Sequence, residues 1–539
     1  MENVNLKERL KNVNSLNKDQ QLDLRNQILA HQPQLLKRWW WFAPCEVNVL
    51  VVTDSSLNFG ISGFGLSNFL TIFKKMEAES NTNLKYNVTL AHRGNPGNAA
   101  MQNSSPDFIN KITNFKFDNT SHFTSNKYDQ VWLFGFSSSS INNNEVNAIE
   151  NYMNNGGGLF ATGDHGSIGR GMCGNIPRVK DMRHWQDFGS GEVSMSGNRR
   201  NDTNTPHSGN YSSTSFNDQQ DAYPQNIHAR VYGAAPNLLP HYLLSINKNI
   251  KASGIIDIMP DHPHEGECKP ETDFTVINPS TNNPHTIRTQ NIAISFVSAG
   301  NTANSFGMKN PTDPHCFPSI SVFDGRSAKV GRIVIDSTWH HFVNVNLDGF
   351  TTDTMDIVFQ YYKNIARWMT RRKTMLCLYK RFTVHTMLSE RIIEANTLDL
   401  DIKAEKIPND ELYAIGIHAM DIIENELTPA DALEFSITML KDVAPELSER
   451  LNIWHPKRDL EQDETHNQFF KLRPLSAMAI GMGIAKIKDK IGDPEKPLNE
   501  KHEAMIFDVF QEGAKLGLSR ALDVLDRNIS FMSKLKRFK

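Results

Sequence analysis

The chain has no run of about eighteen consecutive apolar residues, so no transmembrane helix is expected along its 539 residues. The first twenty residues, MENVNLKERLKNVNSLNKDQ, lack an apolar core, which predicts that no secretory signal is present. Cysteine is scarce. Cys45, Cys173, Cys268, Cys316 and Cys377 form no CxxC pair and leave an odd one over, so the expectation is reduced thiols in a cytoplasmic protein. The zinc signature HExxH is missing, Gly60, Gly63 and Gly65 match neither GxGxxG nor a Walker loop, and there is no internal repeat. There is little net charge of either sign. A balance of −3 supplies no basic face for a long nucleic acid.

What is present fits a soluble globular chain, with 39% apolar and 22% charged residues. The length exceeds one ordinary core, so two or three domains are expected. Residues 1–44 read as short helices ending in Trp39-Trp40-Trp41-Phe42, a cluster that must pack on the main domain or form an oligomer contact. From Val47 the pattern becomes strand and helix in alternation. Val47–Thr53, Asn87–Ala91, Val131–Phe136 and Leu159–Thr162 are apolar, β-branched or aromatic runs of strand length. Helical spacing fills Leu66–Met76 and the stretch after a candidate cap at Asn144, which closes at Gly156. Such alternation predicts βαβ units and a parallel sheet. Further strands are expected at Gly254–Ile258, Asn291–Val297 and Arg332–Ile335, with a helix at Met355–Thr370 closing a domain of residues 45–375. Residues 186–230, rich in Asn, Ser, Gly and Thr, form a polar insertion that is either a functional lid or disordered. Residues 376–539 read as a helical domain. Thr428-Pro429-Ala430-Asp431 starts one helix, Ser476–Ile491 is a central helix, and two amphipathic helices follow from about Glu500.

Residues capable of chemistry gather just after strand candidates. They are Asp54, the pair Asp164-His165, the run Asp261-His262-Pro263-His264-Glu265-Gly266-Glu267-Cys268, and Asp336-Ser337-Thr338-Trp339-His340-His341. Strands that run parallel in one sheet would bring these clusters to a common rim, where ligands bind in open α/β sheets. His165, His262, His264, His340 and His341 are then candidate ligands for a divalent metal, zinc foremost. Asp164, His165, Glu265 and Glu267 are the candidate acid–base residues, a glutamate activating water if a cation lowers its pKa. Arg170 and Arg178, with Lys180 and Arg183 nearby, are candidate anchors for an anionic substrate, and Asp54 is a further substrate contact. Cys173 lies beyond the strand end with no sharp elbow, which makes it a poor nucleophile.

The run YDQVWLFGFSSSSINNNEVNAIENYMNNGGGLFATGDH resembles the class I glutamine amidotransferase-like superfamily, and within it the ThuA-like branch. The later GRIVIDSTWHH is similar to that branch's closing strand, and the likeness covers about residues 45–375. It implies a flavodoxin-like parallel-sheet sandwich and singles out His165 with His340 or His341. Glutamine amidotransferases carry a nucleophilic cysteine in a GxCxG elbow, where this chain has TGDHGS, so glutaminase activity is not expected.

Together these readings predict a cytoplasmic hydrolase, metal-dependent or with Asp164–His165 as a metal-free acid–base pair, acting on a small carbohydrate-like or anionic substrate. The alternative is a sensor or assembly module that binds a small molecule without turnover and signals through homo-oligomerisation.

Overall fold

The computed structural model describes residues 45–61, 63–78, 84–96, 108–137, 140–186, 224–233, 238–260, 265–300, 310–378, 403–426, 428–443, 472–491 and 500–536, with a few isolated positions such as 200–202 and 453–454. The tryptophan cluster 39–41, His262, His264 and most of the polar insertion lie outside the described residues.

A mixed sheet organises the α/β part. Its strands are β1 (Cys45–Thr53), β2 (Leu84–His92), β3 (Asn110–Ile112), β4 (Gln130–Phe134), β5 (Gly158–Thr162), β6 (His228–Ala229), β7 (Gln290–Val297), β8 (His315–Phe323) and β9 (Ile333–Asp336). Across the sheet they run β3-β2-β1-β4-β5-β9-β8-β7-β6. The pairings from β3 to β9 are parallel, and β8, β7 and β6 each pair antiparallel with their neighbours. Alternation along β1 explains the layers. Val47, Val49 and Val51 join one buried cluster with α1 (Ser67–Ala78) and α3 (Thr352–Trp368), whereas Leu50 and Val52 join the other with α2 (Asn143–Asn154). Burial on both faces is what a parallel strand between helical layers demands. The buried amide of Gln130 is satisfied: it donates to the Ala366 carbonyl (3.1 Å) and accepts from Trp132 Nε1 (2.8 Å).

Several expectations shift. The cap of α2 is Asn142 rather than Asn144, because Glu145 returns its side chain to the Asn142 backbone in a reciprocal capping box. The strand expected at Gly254–Ile258 is Ile258–Pro260, and it lies outside the main sheet, paired antiparallel with Pro224–Asn226. Gly254 itself turns at φ +69. β8 has no counterpart in the sequence reading.

The later part of the chain is helical, with α4 (Asn409–Glu426), α5 (Pro429–Val443), α6 (Leu472–Ile491) and α7 (Glu500–Lys536). The two helices expected after Glu500 are one helix of 37 residues. Thr428 and Asp431 cap α5 reciprocally, each side chain accepting from the other's backbone N–H. α5 is docked on the sheet part by ion pairs. Glu434, buried, receives Arg332 Nη2 at 2.9 Å and also pairs with Arg326, while Asp324 binds both arginines. Among the described residues no helix is long and apolar enough to cross a membrane.

Cys45 and Cys377 are joined in a disulfide, which corrects the expectation of reduced thiols for these two residues. The bond ties the first residue of β1 to a position 332 residues further along the chain. A crosslink closing so long a loop removes much unfolded-state entropy, and removing a native disulfide costs on the order of 2–5 kcal/mol. Cys377→Ser is therefore expected to lower the thermal midpoint, and reductant should do the same to the wild type. A wild-type midpoint indifferent to reductant would contradict the crosslink.

Candidate functional site

The site is built where the parallel strands end together. Thr53, Phe134, Thr162 and Asp336 are register partners across β1, β4, β5 and β9. The chain therefore leaves all four strands at one level, delivering Asp54, Gly135, Gly163 and Ser337 to a shared rim. The loop after β5 folds back tightly over it. Gly169, at φ +88, lies so close that a Cβ on it would stand 2.8 Å from the Gly163 Cα and 2.9 Å from the Gly135 carbonyl oxygen. Only glycine meets both demands there, the positive φ and the missing Cβ.

Asp164 is the centre of the rim. Its carboxylate is buried, with Oδ2 3.1 Å from His165 Nδ1 and 3.5 Å from His340 Nε2, and Oδ1 accepting from Thr338 Oγ1 at 3.2 Å. Burial raises a carboxyl pKa, but the two imidazoles and their hydrogen bonds outweigh it and hold Asp164 well below the usual carboxylate range. Asp164 is thus an anion at neutral pH, and the contact to His165 requires the proton to sit on Nδ1. The side chain of His165 is 44% exposed, so its ring also faces solvent.

His340 is buried behind this pair. Its Nδ1 lies 2.7 Å from Asn346 Oδ1, its ring stacks on Trp339 (centroids 4.0 Å apart), and Phe64 meets it edge-on. Burial holds His340 below the ordinary histidine pKa, against the pull of Asp164. Phe136 also stacks on Trp339 (5.8 Å), so aromatic rings from the loops after β1, β4 and β9 gather at the rim.

Beneath lies a second charged chain, fully buried. His341 Nδ1 is 2.8 Å from Asp336 Oδ1, its Nε2 is 2.8 Å from Glu265 Oε1, and Tyr361 donates to Asp336 Oδ2 (2.8 Å). Gln225 donates to Glu265 Oε1. Burial opposes a charge on His341, yet the two carboxylates prevail and raise its pKa to about 10. Burial raises the pKa of Glu265 despite His341.

The structure therefore brings Asp164, His165 and His340 into contact and joins His341 to Glu265 just below them. It does not place the remaining candidates there. Glu265 Oε1 holds His341 and accepts from Gln225, and Glu267 Oε2 accepts from Asn201 at 3.2 Å. Arg178 donates to Asn154 and lies over the Phe323 ring. Phe323 pairs with Ile333, the first residue of β9, so Arg178 sits at the end of the sheet opposite the rim. Arg170 is exposed on the single turn Arg170–Cys173. Asp54 accepts from the backbone of Phe136 (2.6 Å) and Ser137 (3.1 Å), so it shapes the loop after β4, and burial raises its pKa. Cys173 is buried and its thiol pKa pushed up by that burial, the reverse of an activated nucleophile. The strand that precedes the third cluster, Ile258–Pro260, belongs to a small separate ladder rather than to the main sheet.

Among the described residues, His165, His340 and His341 do not form a ligand set. His341 spends both nitrogens on carboxylates and His340 places Nδ1 against Asn346. Among the described residues no group of three or more His, Cys, Asp or Glu side chains is arranged to hold a metal ion. Asn346 and Tyr361, which help complete the two chains, were not singled out in the sequence, and Thr338 was named there only as part of the run Asp336–His341. Thr338 alone had a signal, its place two residues past a strand end. No protein-family model and no curated protein matches this chain.

Proposed function

We propose that this protein is a hydrolase that uses Asp164 and His165 as an acid–base pair on a small polar substrate, carbohydrate-like or anionic. The observation that carries the reading is a buried, ionised carboxylate holding the one site imidazole that also faces solvent. Asp164 fixes the His165 tautomer, and His165 Nε2 takes a proton from water as that water attacks, then returns it to the leaving group. The backbone at the rim and the aromatic wall of Phe64, Phe136 and Trp339 orient the substrate.

The wider reading is of a flavodoxin-like sandwich related to the class I glutamine amidotransferase-like superfamily. Its support is the strand order: with short β3 set aside, the five parallel strands run second, first, third, fourth, fifth. The lack of a cysteine in TGDHGS, the stretch equivalent to that superfamily's GxCxG elbow, and Cys173 buried with a raised pKa, support hydrolysis by activated water over a thiol mechanism.

The test is hydrolysis of a panel of p-nitrophenyl glycosides, carboxylate esters and phosphate esters by the full chain, with His165→Ala as the control. Turnover of at least one class, falling about 10²- to 10⁴-fold in the variant, is the expected outcome. Hydrolysis that persists in His165→Ala would sink the assignment.

A further inference from the structure

Arg183 was a candidate anchor for an anionic substrate, and the structure gives it a different place. It is fully buried, and its four hydrogen bonds all go to backbone carbonyls. Nε and Nη2 donate to the Ser337 oxygen (3.0 and 2.6 Å), Nη2 also to the Asp164 oxygen (2.5 Å), and Nη1 to the His184 oxygen (2.9 Å). Ser337 opens the loop that carries Thr338 and His340, and Asp164 directly precedes His165 in the loop after β5. One guanidinium thus spans the ends of β9 and β5, the two strands that supply the acid–base residues.

Everything around Arg183 serves that span. Its backbone is locked by a short antiparallel contact with Cys268, His184 N–H donating to the Glu267 carbonyl and Lys269 N–H to the Met182 carbonyl. Its guanidinium lies 4.5 Å over the Trp185 ring. It passes directly under Gly266, where a Cβ would stand 2.0 Å from Nη2 and 2.4 Å from the Ser337 oxygen. A planar fork with donors in fixed directions can bond three carbonyls at once, which a lysine ammonium on the same stem cannot reproduce.

We infer that Arg183 is a positioning residue that sets the separation of the Asp164–His165 loop from the Thr338–His340 loop, with Gly266 as the residue that leaves room for it. The inference rests on the acid–base reading of that site, and its test does not require turnover. In protein with ¹⁵N-labelled histidine, the ring nitrogen shifts report which nitrogen carries the proton. Wild type should show His165, identified by its loss in His165→Ala, as a single Nδ1–H tautomer. Arg183→Lys keeps the charge and loses the fork, and Gly266→Ala displaces the guanidinium while leaving it in the chain. Both are expected to lose the fixed His165 tautomer, and diethyl pyrocarbonate should acylate His165 at a changed rate. The His341 signals, held by Asp336 and Glu265, should remain.

Wild-type tautomer and acylation rate in both variants would overturn the inference. So would failure of both to fold, which would assign Arg183 to the stability of the whole sheet. If the tautomer is lost as expected while His165→Ala hydrolyses the ester and glycoside panel as well as wild type, the positioning role stands and the hydrolase reading falls.

Discussion

Asp164→Asn is expected to lower turnover by about two to four orders of magnitude while the chain still folds. The substitution preserves shape and removes charge. In wild type the carboxylate receives His165 Nδ1–H and Thr338 Oγ1–H and faces His340 Nε2, so each oxygen is acceptor only. An amide offers one acceptor and one donor group. If its oxygen keeps Thr338, its NH₂ meets His165 and selects the opposite tautomer, with the proton on Nε2, where the lone pair is needed. If its oxygen keeps His165, the NH₂ faces the Thr338 hydroxyl, which can turn to accept, and His340 loses its anion. Either arrangement removes the charge that stabilises an imidazolium formed in the reaction. The measurement is kcat on whichever chromogenic substrate the wild type hydrolyses, with a thermal midpoint alongside. A variant of normal stability with a kcat within threefold of wild type would leave Asp164 without a catalytic part.

The parts of this arrangement that could be read from the sequence are those encoded locally. VNVLVVT, VWLFGF and GGGLFAT are strands because β-branched and aromatic residues fill both faces, and their parallel order follows from the helices between them. TGDH and DSTWHH announced themselves as strand-end chemistry, and the in-register ends of β5 and β9 do bring Asp164, His165 and His340 together. What escaped depends on distant partners. β8 contains Pro318, which argues against a strand in the middle of a sheet. It is accommodated because Pro318 lies beyond Ile320, the residue that registers with the end of β9. The Ile258–Pro260 strand could not be placed because its partner, Pro224–Asn226, follows directly on a polar stretch with no strand periodicity. Asn142 outcompeted Asn144 as a cap through the single feature that separates three consecutive asparagines, a glutamate three residues on. Arg183 and Arg178 were alike as sequence, two basic residues soon after a strand. One lies under the rim and the other at the opposite end of the sheet, a difference set by tertiary contacts alone.

His341→Leu is expected to be the most damaging change for stability, costing about 3–5 kcal/mol at neutral pH. Leucine is similar in bulk, so the loss is electrostatic: Asp336 and Glu265 would remain fully buried with their shared cation gone. The same chain predicts how wild-type stability depends on pH. His341 has its pKa raised to about 10 in the folded protein, against about 6.5 when unfolded. Between those values the folded state holds a proton that the unfolded state has released, so stability must fall as pH rises. The contribution is complete below about pH 6.5 and is lost progressively towards pH 10. Asp164 acts at the other extreme. Its lowered pKa stabilises the fold above the ordinary carboxylate range and withdraws that support as acid protonates it. Thermal midpoints at pH 6, 8 and 10 should therefore decline in wild type, and the decline should flatten in His341→Leu, which has no such proton to lose. A leucine variant as stable as wild type at pH 7, or one that keeps the full alkaline decline, would show that His341 is not the cation binding these carboxylates.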